Sequence, residues 1–347
     1  MLTVGEDQPT ALDGRSPAPG SLINELTRRE FTVAGGFVVL GAALTACSSS
    51  EPAGNSGGTR TVSSAKGPVE IPADPQRIVV INAGLAGSVY ALGAKVAATG
   101  VSVLGLPVDK SGFPSVWSAQ AQSQGSKALS GPTLDVEEVA VVKPDLIIGG
   151  GQGFPGAQST KAYDKLRSIA PTVLVGTEVV TWQDQLKALA TIVGADDRVP
   201  GLVKRYQERV AAVRTATTPP AQPSAFLYPA INKIYAVPST AALPSLFADA
   251  GFTPDDVHAK MPDAELFGSG DSFEVSDEKL GDVLNAPSLF VVNLNGVRGQ
   301  DLKARPGFSR LPAVQNNQVY DLPAYSLRPD YYAVFRTLDT IEKLFRR

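Results

Sequence analysis

From Pro75 onward the chain alternates short β-branched runs with amphipathic segments, and that alternation admits few folds. Arg77-Ile78-Val79-Val80-Ile81 reads as a buried strand, and Asn82-Ala83-Gly84 as the turn after it. Leu85, Val89 and Leu92 then recur at helical spacing until Gly93. Val96 to Val101, Asp145 to Ile148 and Thr172 to Val175 read as further strands, with a short helix over Val136 to Val142 stopped before Pro144. Strands separated by helices imply βαβ units and a mostly parallel sheet. Leu202, Val203, Tyr206, Val210 and Val213 line a longer helix, and Pro219-Pro220-Ala221-Gln222-Pro223 breaks the chain. A second βα series follows, with strands over Ala225 to Tyr228, Ile234 to Val237, Ser288 to Leu294 and Gln318 to Leu322 and a closing amphipathic helix from Tyr332 to Phe345. The fold class is α/β: two Rossmann-like lobes with central, mostly parallel sheets, joined by one long α-helix.

The first residues read as an address. Thr27-Arg28-Arg29-Glu30-Phe31 precedes an apolar run from Val33 to Leu44, which is shorter than the roughly 20 residues a membrane-spanning helix needs. Paired arginines, a short apolar stretch and small residues form the layout of a twin-arginine export signal. Leu44-Thr45-Ala46-Cys47 resembles the bacterial lipobox, in which the cysteine is acylated, for instance with palmitate, and becomes the first mature residue. Ser48 to Gly67 is rich in Ser, Gly, Thr and Pro without an apolar period, which suits a tether. The expected organisation is signal peptide 1–46, tether 47–67, N-terminal lobe 68–196, linker helix 197–216 and C-terminal lobe 217–347. Residues 1–26 fit a long unstructured leader or an overextended start.

Composition narrows the chemistry. A net charge of −3 without a Lys/Arg stripe argues against nucleic acid as a partner. One Cys and one His preclude a disulfide framework and a Cys/His zinc site. A Ser-His-Asp arrangement has His258 alone to draw on, there is no G-x-S-x-G elbow, and no carboxylate pair has the context of an acid and a base. No catalytic residue and no protein-bound metal are expected.

In parallel α/β sheets, ligands bind outside the carboxyl ends of the strands. The loops there carry Phe113, Trp117, Phe154, Tyr228, Phe267 and Tyr325, with Asn293, Arg298 and Arg328 beside them. Aromatic faces and arginine forks suit a bulky, anionic chelate. Trp117 and Phe154, flanked by Ser, Gly and Pro, are expected near the cleft surface. Tyr228 fits core or cleft equally, and Arg298 fits the cleft or a solvated loop. His258, beside Asp255 and Asp256, reads as a surface histidine.

These segments together resemble the substrate-binding proteins of iron-siderophore, haem and cobalamin importers. Pro75-Gln76-Arg77-Ile78-Val79-Val80 with Ala91-Leu92-Gly93-Ala94 looks like that family's opening strand and helix. Asp135-Val136-Glu137-Glu138-Val139 leading into Lys143-Pro144-Asp145-Leu146-Ile147-Ile148 looks like its signature. Tyr163 to Leu166, Ile169-Ala170-Pro171, Val275 to Leu280 and Gln318-Val319-Tyr320 extend the match over most of the body. The resemblance implies a monomeric, lipid-anchored protein on the outer face of the cell membrane that delivers a ferric siderophore to an ABC-importer permease. Fe(III) is then expected inside the ligand. It also implies a rigid linker helix, here Asp197 to Thr215, and docking through one acid per lobe. Asp164 and Glu278 match those positions, and both also fit solvated surface acids. Trp117 and Phe267-Gly268 fall where hydroxamate-binding members place pocket aromatics, whereas Gly131 stands where those members carry a ligand-contacting Arg.

Other readings attach to the same sequence. Gly151-Gln152-Gly153-Phe154-Pro155-Gly156 matches G-x-G-x-x-G after a strand, with Glu178 further on, as in an exported cofactor-binding oxidoreductase. Against this, the next clear helix is expected only around Tyr163, too late to face a pyrophosphate. A haem or cobalamin binder and an envelope-assembly lipoprotein would share the fold.

Overall fold

The computed structural model describes residues 58–101, 106–230, 232–267, 270–294 and 296–347. The export signal, the lipidation site Cys47 and most of the expected tether lie outside those residues. The tether expectation is corrected at its end, because Thr59–Val62 is a strand, β1, paired antiparallel with β2 (Val69–Pro72). Val62 and Ile71 form the buried face of this ribbon, and its polar outer face is what reads as tether. Arg60 fastens the ribbon by donating to the carbonyls of Thr191 and Ile192, each at 2.6 Å.

The first lobe is a five-stranded sheet of β3 (Ile78–Val80), β4 (Val96–Gly100), β5 (Lys127–Leu129), β6 (Leu146–Gly150) and β7 (Thr172–Val175). All its pairs are parallel, in the order β5-β4-β3-β6-β7. Strands β3, β6 and β7 are buried at every residue, as a sheet covered on both faces requires. The helices are α1 (Ala83–Ala91), α2 (Ser118–Ser123), α3 (Val136–Val142), α4 (Gly153–Lys161), α5 (Tyr163–Arg167) and α6 (Trp182–Val193). Helix α3 starts where the Asp135 carboxylate accepts the Glu137 N–H at 2.9 Å, and it stops at Lys143 in the left-handed region (φ 52°) before Pro144. Chain order reverses at β3, which has β4 on one side and β6 on the other. That reversal opens a crevice above the carboxyl ends of β3 and β6.

A 3-10 turn, Asp196–Arg198, leads into the linker helix α7 (Val199–Ala216). The second lobe carries β8 (Ser224–Ala230), β9 (Lys233–Ala236), β10 (Phe273–Val275), β11 (Ser288–Asn293) and β12 (Val319–Pro323) in the order β10-β9-β8-β11-β12. β8, β11 and β12 are parallel, while β9 and β10 add an antiparallel edge. Its helices are α8 (Ala242–Asp249), α9 (Leu280–Val283), α10 (Gly299–Leu302), α11 (Pro312–Gln315) and α12 (Tyr331–Phe345). The core centres on Phe226, stacked 5.2 Å from Phe290 and edge-on to Phe247 at 4.9 Å.

The lobes meet along a helical seam of α1, α6, α7 and α12. On α7, Tyr206 lays its ring against Trp182 of the first lobe at 4.7 Å and donates its hydroxyl to Asp249 of the second at 2.6 Å. Burial and the neighbouring Asp249 both raise the Tyr206 pKa, so it stays a phenol. Arg209 grips Asp339 and Glu342 on α12, each at 2.7 Å. Asp330 caps α12 by accepting the N–H groups of Tyr332 and Ala333, both at 2.9 Å, and its carboxylate packs against Gly87 on α1. A side chain at position 87 would run into that carboxylate, which is why glycine stands there.

Burial pushes the Asp330 carboxyl up to about 6, against the pull of the backbone N–H groups around it. The native protein therefore holds this proton more tightly than the unfolded chain. The group adds stability as pH falls from about 6 towards the ordinary carboxylate value near 4, and withholds it above. In Asp330→Asn, which cannot titrate, stability relative to the parent is expected to be highest above about pH 6 and to decline on acidification. Denaturant unfolding across that range measures it; a difference constant with pH contradicts the assignment.

Candidate functional site

At the crevice of the first lobe, Asn82 caps α1 through the Gly84 N–H at 3.0 Å. Its amide nitrogen donates to the carbonyls of Gly150 and Gln152 at 2.8 and 3.1 Å, locking the ends of β3 and β6 together. Gly150, Gly151 and Gly153 all lie in the left-handed region (φ 73°, 70° and 79°), so the chain turns from β6 straight into α4. The expectation that no helix begins before Tyr163 is thus overturned. The glycines remove the need for a loop, and Ser159 steadies the turn by accepting the Gly150 N–H at 2.8 Å. The space in front of α4 is taken by the second lobe: a Cβ on Gly153 would lie 3.0 Å from Nη1 of Arg328. Gln152, the buried N-cap of α4, leaves its side-chain nitrogen without a partner among the described residues.

Arg328 follows β12 and closes a two-pronged ion pair with Asp271, through Nε and, at 2.9 Å, through Nη2. The Asp271 side chain is 4% exposed. Burial works against the Arg328 charge, but Asp271 outweighs it and holds the guanidinium above its ordinary pKa. Beside Asp271, the Ser272 hydroxyl lies 2.8 Å from that of Tyr228. Burial, first of all, raises the Tyr228 pKa. Tyr228 stacks on Tyr235 at 5.1 Å and 12°, and Tyr235 meets Phe267 at 5.2 Å. A line of contacts therefore runs from Phe267 through Tyr235, Tyr228, Ser272, Asp271 and Arg328 to the backbone of Gly153, beside Phe154. The two rings at its ends are open to solvent, Phe154 at 63% and Phe267 at 57%.

The structure brings together Phe154, Tyr228, Phe267 and Arg328 of the residues singled out in the sequence. Trp117 is corrected: it is 1% exposed, wedged between Tyr90 and Phe113 at 5.5 and 6.0 Å, and belongs to the core. Its polar sequence neighbours hide a contact with α1 that no local pattern reveals. Phe113, also named among the loop aromatics, is buried with it. Asn293 is half-buried at the end of β11, and Tyr325 is half-buried in a 3-10 turn after β12. Arg298 is exposed and starts α10, its N–H donating to Asp301 at 2.8 Å. Asp164 on α5 is 85% exposed and paired with Arg167, and Glu278 is exposed ahead of α9. His258 is half-buried, its ring 5.2 Å from Phe273 and its Nε2 3.2 Å from the Ala264 carbonyl, rather than a free surface group. Asp271 and Tyr235 were not among the residues singled out: Asp271 acts through Arg328, 57 residues away, and Tyr235 reads simply as part of a buried strand. Among the described residues, no group of three or more His, Cys, Asp and Glu is placed to hold a metal ion.

Two α/β lobes on a helical seam, with aromatic rings and an arginine at the meeting strand ends, define a two-lobe solute-binding protein. The chain belongs to the periplasmic binding protein family, which matches residues 78–326. It is 30% identical over 290 residues to the ferric enterobactin-binding periplasmic protein FepB of Escherichia coli O6:H1, covering 82% of this chain and 91% of that one. It is 33% identical over 184 residues to the probable siderophore-binding lipoprotein YfiY of Bacillus subtilis, covering 51% of this chain and 53% of that one. Among solved structures, holo-ViuP shares the fold with a TM-score of 0.72 at 23% identity, over 83% of this chain and 95% of that one. PiaA of Streptococcus pneumoniae in complex with ferrichrome aligns with a TM-score of 0.65 at 19% identity, over 82% and 96%.

Gly153→Ala places a Cβ in the left-handed region and against Arg328. A loss of ~1–2 kcal/mol in unfolding free energy is expected from the backbone strain. Denaturant melts read it; an unchanged midpoint would show that the turn does not need glycine.

Proposed function

We propose that the chain is an exported, lipid-anchored binding protein that captures a ferric siderophore between its lobes and delivers it to an ABC importer. The observation that carries this reading is that Phe154 and Phe267, one from each lobe, stand open to solvent on segments that the Arg328–Asp271 pair brings to the meeting strand ends. Such a surface gives broad apolar contact to a bulky chelate, with polar groups between to orient it. Iron in this reading is cargo and brings its own oxygen donors. FepB and YfiY are named for siderophore binding, which supports the ligand class. The lipoprotein name of YfiY supports the anchor at Cys47. Asp164 and Glu278, one on each lobe and both exposed, suit salt-sensitive docking on a basic permease surface. A family of binding proteins, together with an Arg328 side chain filling the space before α4, favours capture over dinucleotide chemistry.

Titrating the purified chain with ferric siderophores is expected to quench tryptophan fluorescence saturably. Phe154→Ala and Phe267→Ala should each weaken binding about fivefold to tenfold, the ~1–1.5 kcal/mol of an aromatic contact. Full affinity in both variants would place the ligand elsewhere. In cells, Cys47→Ala is expected to move the protein from the membrane to the soluble fraction. Continued partition with membranes would remove the lipid anchor from the reading.

A further inference from the structure

We propose that a groove on the helical seam, between α2, α7 and α12, is a second binding site and takes a small aromatic carboxylate. None of Phe154, Tyr228, Phe267 and Arg328 lines it, and it does not depend on the ligand read for them. α7 and α12 run side by side in the same direction. Arg209 of α7 meets Asp339 of α12 at 2.7 Å, and just past the end of α7 the Thr218 N–H reaches the Phe345 carbonyl at 2.9 Å. That register sets Arg205, one turn before Arg209, against the turn of α12 around Phe335.

At the Arg209 turn the cation has its anions, Asp339 and Glu342. At the Arg205 turn α12 presents Phe335 and a second cation, Arg336, where a carboxylate would continue the ladder. Arg205 and Arg336 are exposed and line one cavity of about 380 Å³, and neither pairs with a carboxylate among the described residues. Asp339 brings the one carboxylate of that lining, and its Oδ1 already accepts from Arg209. Two guanidinium groups on one cavity repel each other until an anion comes between them. Their planar forks match the two oxygens of a carboxylate.

The rest of the lining selects the body of the ligand. Tyr332, Phe335 and Arg336 recur at i, i+3 and i+4 and so share one face of α12. Tyr332 and Phe335 are half-buried, and Tyr331 braces both rings edge-on, at 5.5 and 5.2 Å. Tyr331 itself rests against Trp182 at 5.9 Å, so the aromatic wall is fixed before a ligand arrives. Burial raises the pKa of the Tyr331 and Tyr332 hydroxyls and Arg205 pulls against it, which places that guanidinium near the polar ends of the same rings. Half-buried Gln120 on α2 adds a neutral donor and acceptor from the first lobe. A one-ring acid fits this lining and this volume, its carboxylate between the arginines and its ring against Tyr332 and Phe335.

The test is a ligand-observed NMR titration of the purified chain with benzoate, acetate and inorganic phosphate. Benzoate is expected to bind saturably, and about tenfold or more tighter than acetate or phosphate. Arg205→Gln and Arg336→Gln, both at exposed positions, should each weaken benzoate about tenfold. Arg310→Gln, which removes an exposed arginine outside the groove, should leave it unchanged. Phe335→Ala should bring benzoate to within about threefold of acetate. No saturable binding of benzoate by the parent protein, or binding that both arginine variants retain, overturns the site. Acetate or phosphate bound as tightly as benzoate overturns the aromatic ligand. The parent titration decides the matter even where a variant does not fold.

Discussion

Asp330 caps α12 from the second lobe and packs its carboxylate against Gly87 of the first, so one buried carboxylate touches both halves of the molecule. Its position fixes where α12 begins, and α12 in turn fixes α7 through the Arg209 ion pairs. Arg347 and Thr218 tie the far end of the chain to the end of α7, through the Ala216 carbonyl at 3.0 Å and the Phe345 carbonyl at 2.9 Å. The linker is thus one member of a packed seam rather than a free rod. Opening the seam would break several buried contacts together, which limits the lobes to small relative movements.

The same register sets the site. Arg328 lies two residues before Asp330, so capping α12 against Gly87 delivers the guanidinium to Gly153. Asp271 then holds it from the second lobe. The glycine turn at 150–153 takes its meaning from this contact. A dinucleotide loop would leave the helix terminus open to a phosphate, but here an arginine stands in front of it. Motif and local geometry alone would favour the wrong chemistry; the partner from the other lobe decides.

Much of the fold was legible because fully buried parallel strands have little freedom of composition. Ile78–Val80, Leu146–Gly150 and Thr172–Val175 stand out from their surroundings, and Asp135, Lys143 and Pro144 mark the limits of α3. What escaped notice shares a cause. β1 shows one polar face, β10 is three residues long at an edge, and α4 opens on Gly-Phe-Pro-Gly, which reads as loop. Of the site, the exposed rings were legible and their environment was not. Trp117 is buried by Tyr90, Asp271 lies 57 residues from Arg328, and Tyr235 meets Phe267 across a turn of chain no periodicity describes.

A stiff seam also bears on how such a protein chooses its ligand. Where lobes close far over a solute, closure itself can exclude a poor fit, since each wrong contact adds to the cost of the closed state. With little closure available, discrimination has to reside in groups already in place before the ligand arrives. In this chain the groups in place at the meeting strand ends are rings with open faces and an arginine paired with a buried carboxylate. Leaving the Asp271 carboxylate buried without Arg328 would cost more than an apolar contact returns, so the fold itself holds that pair in place.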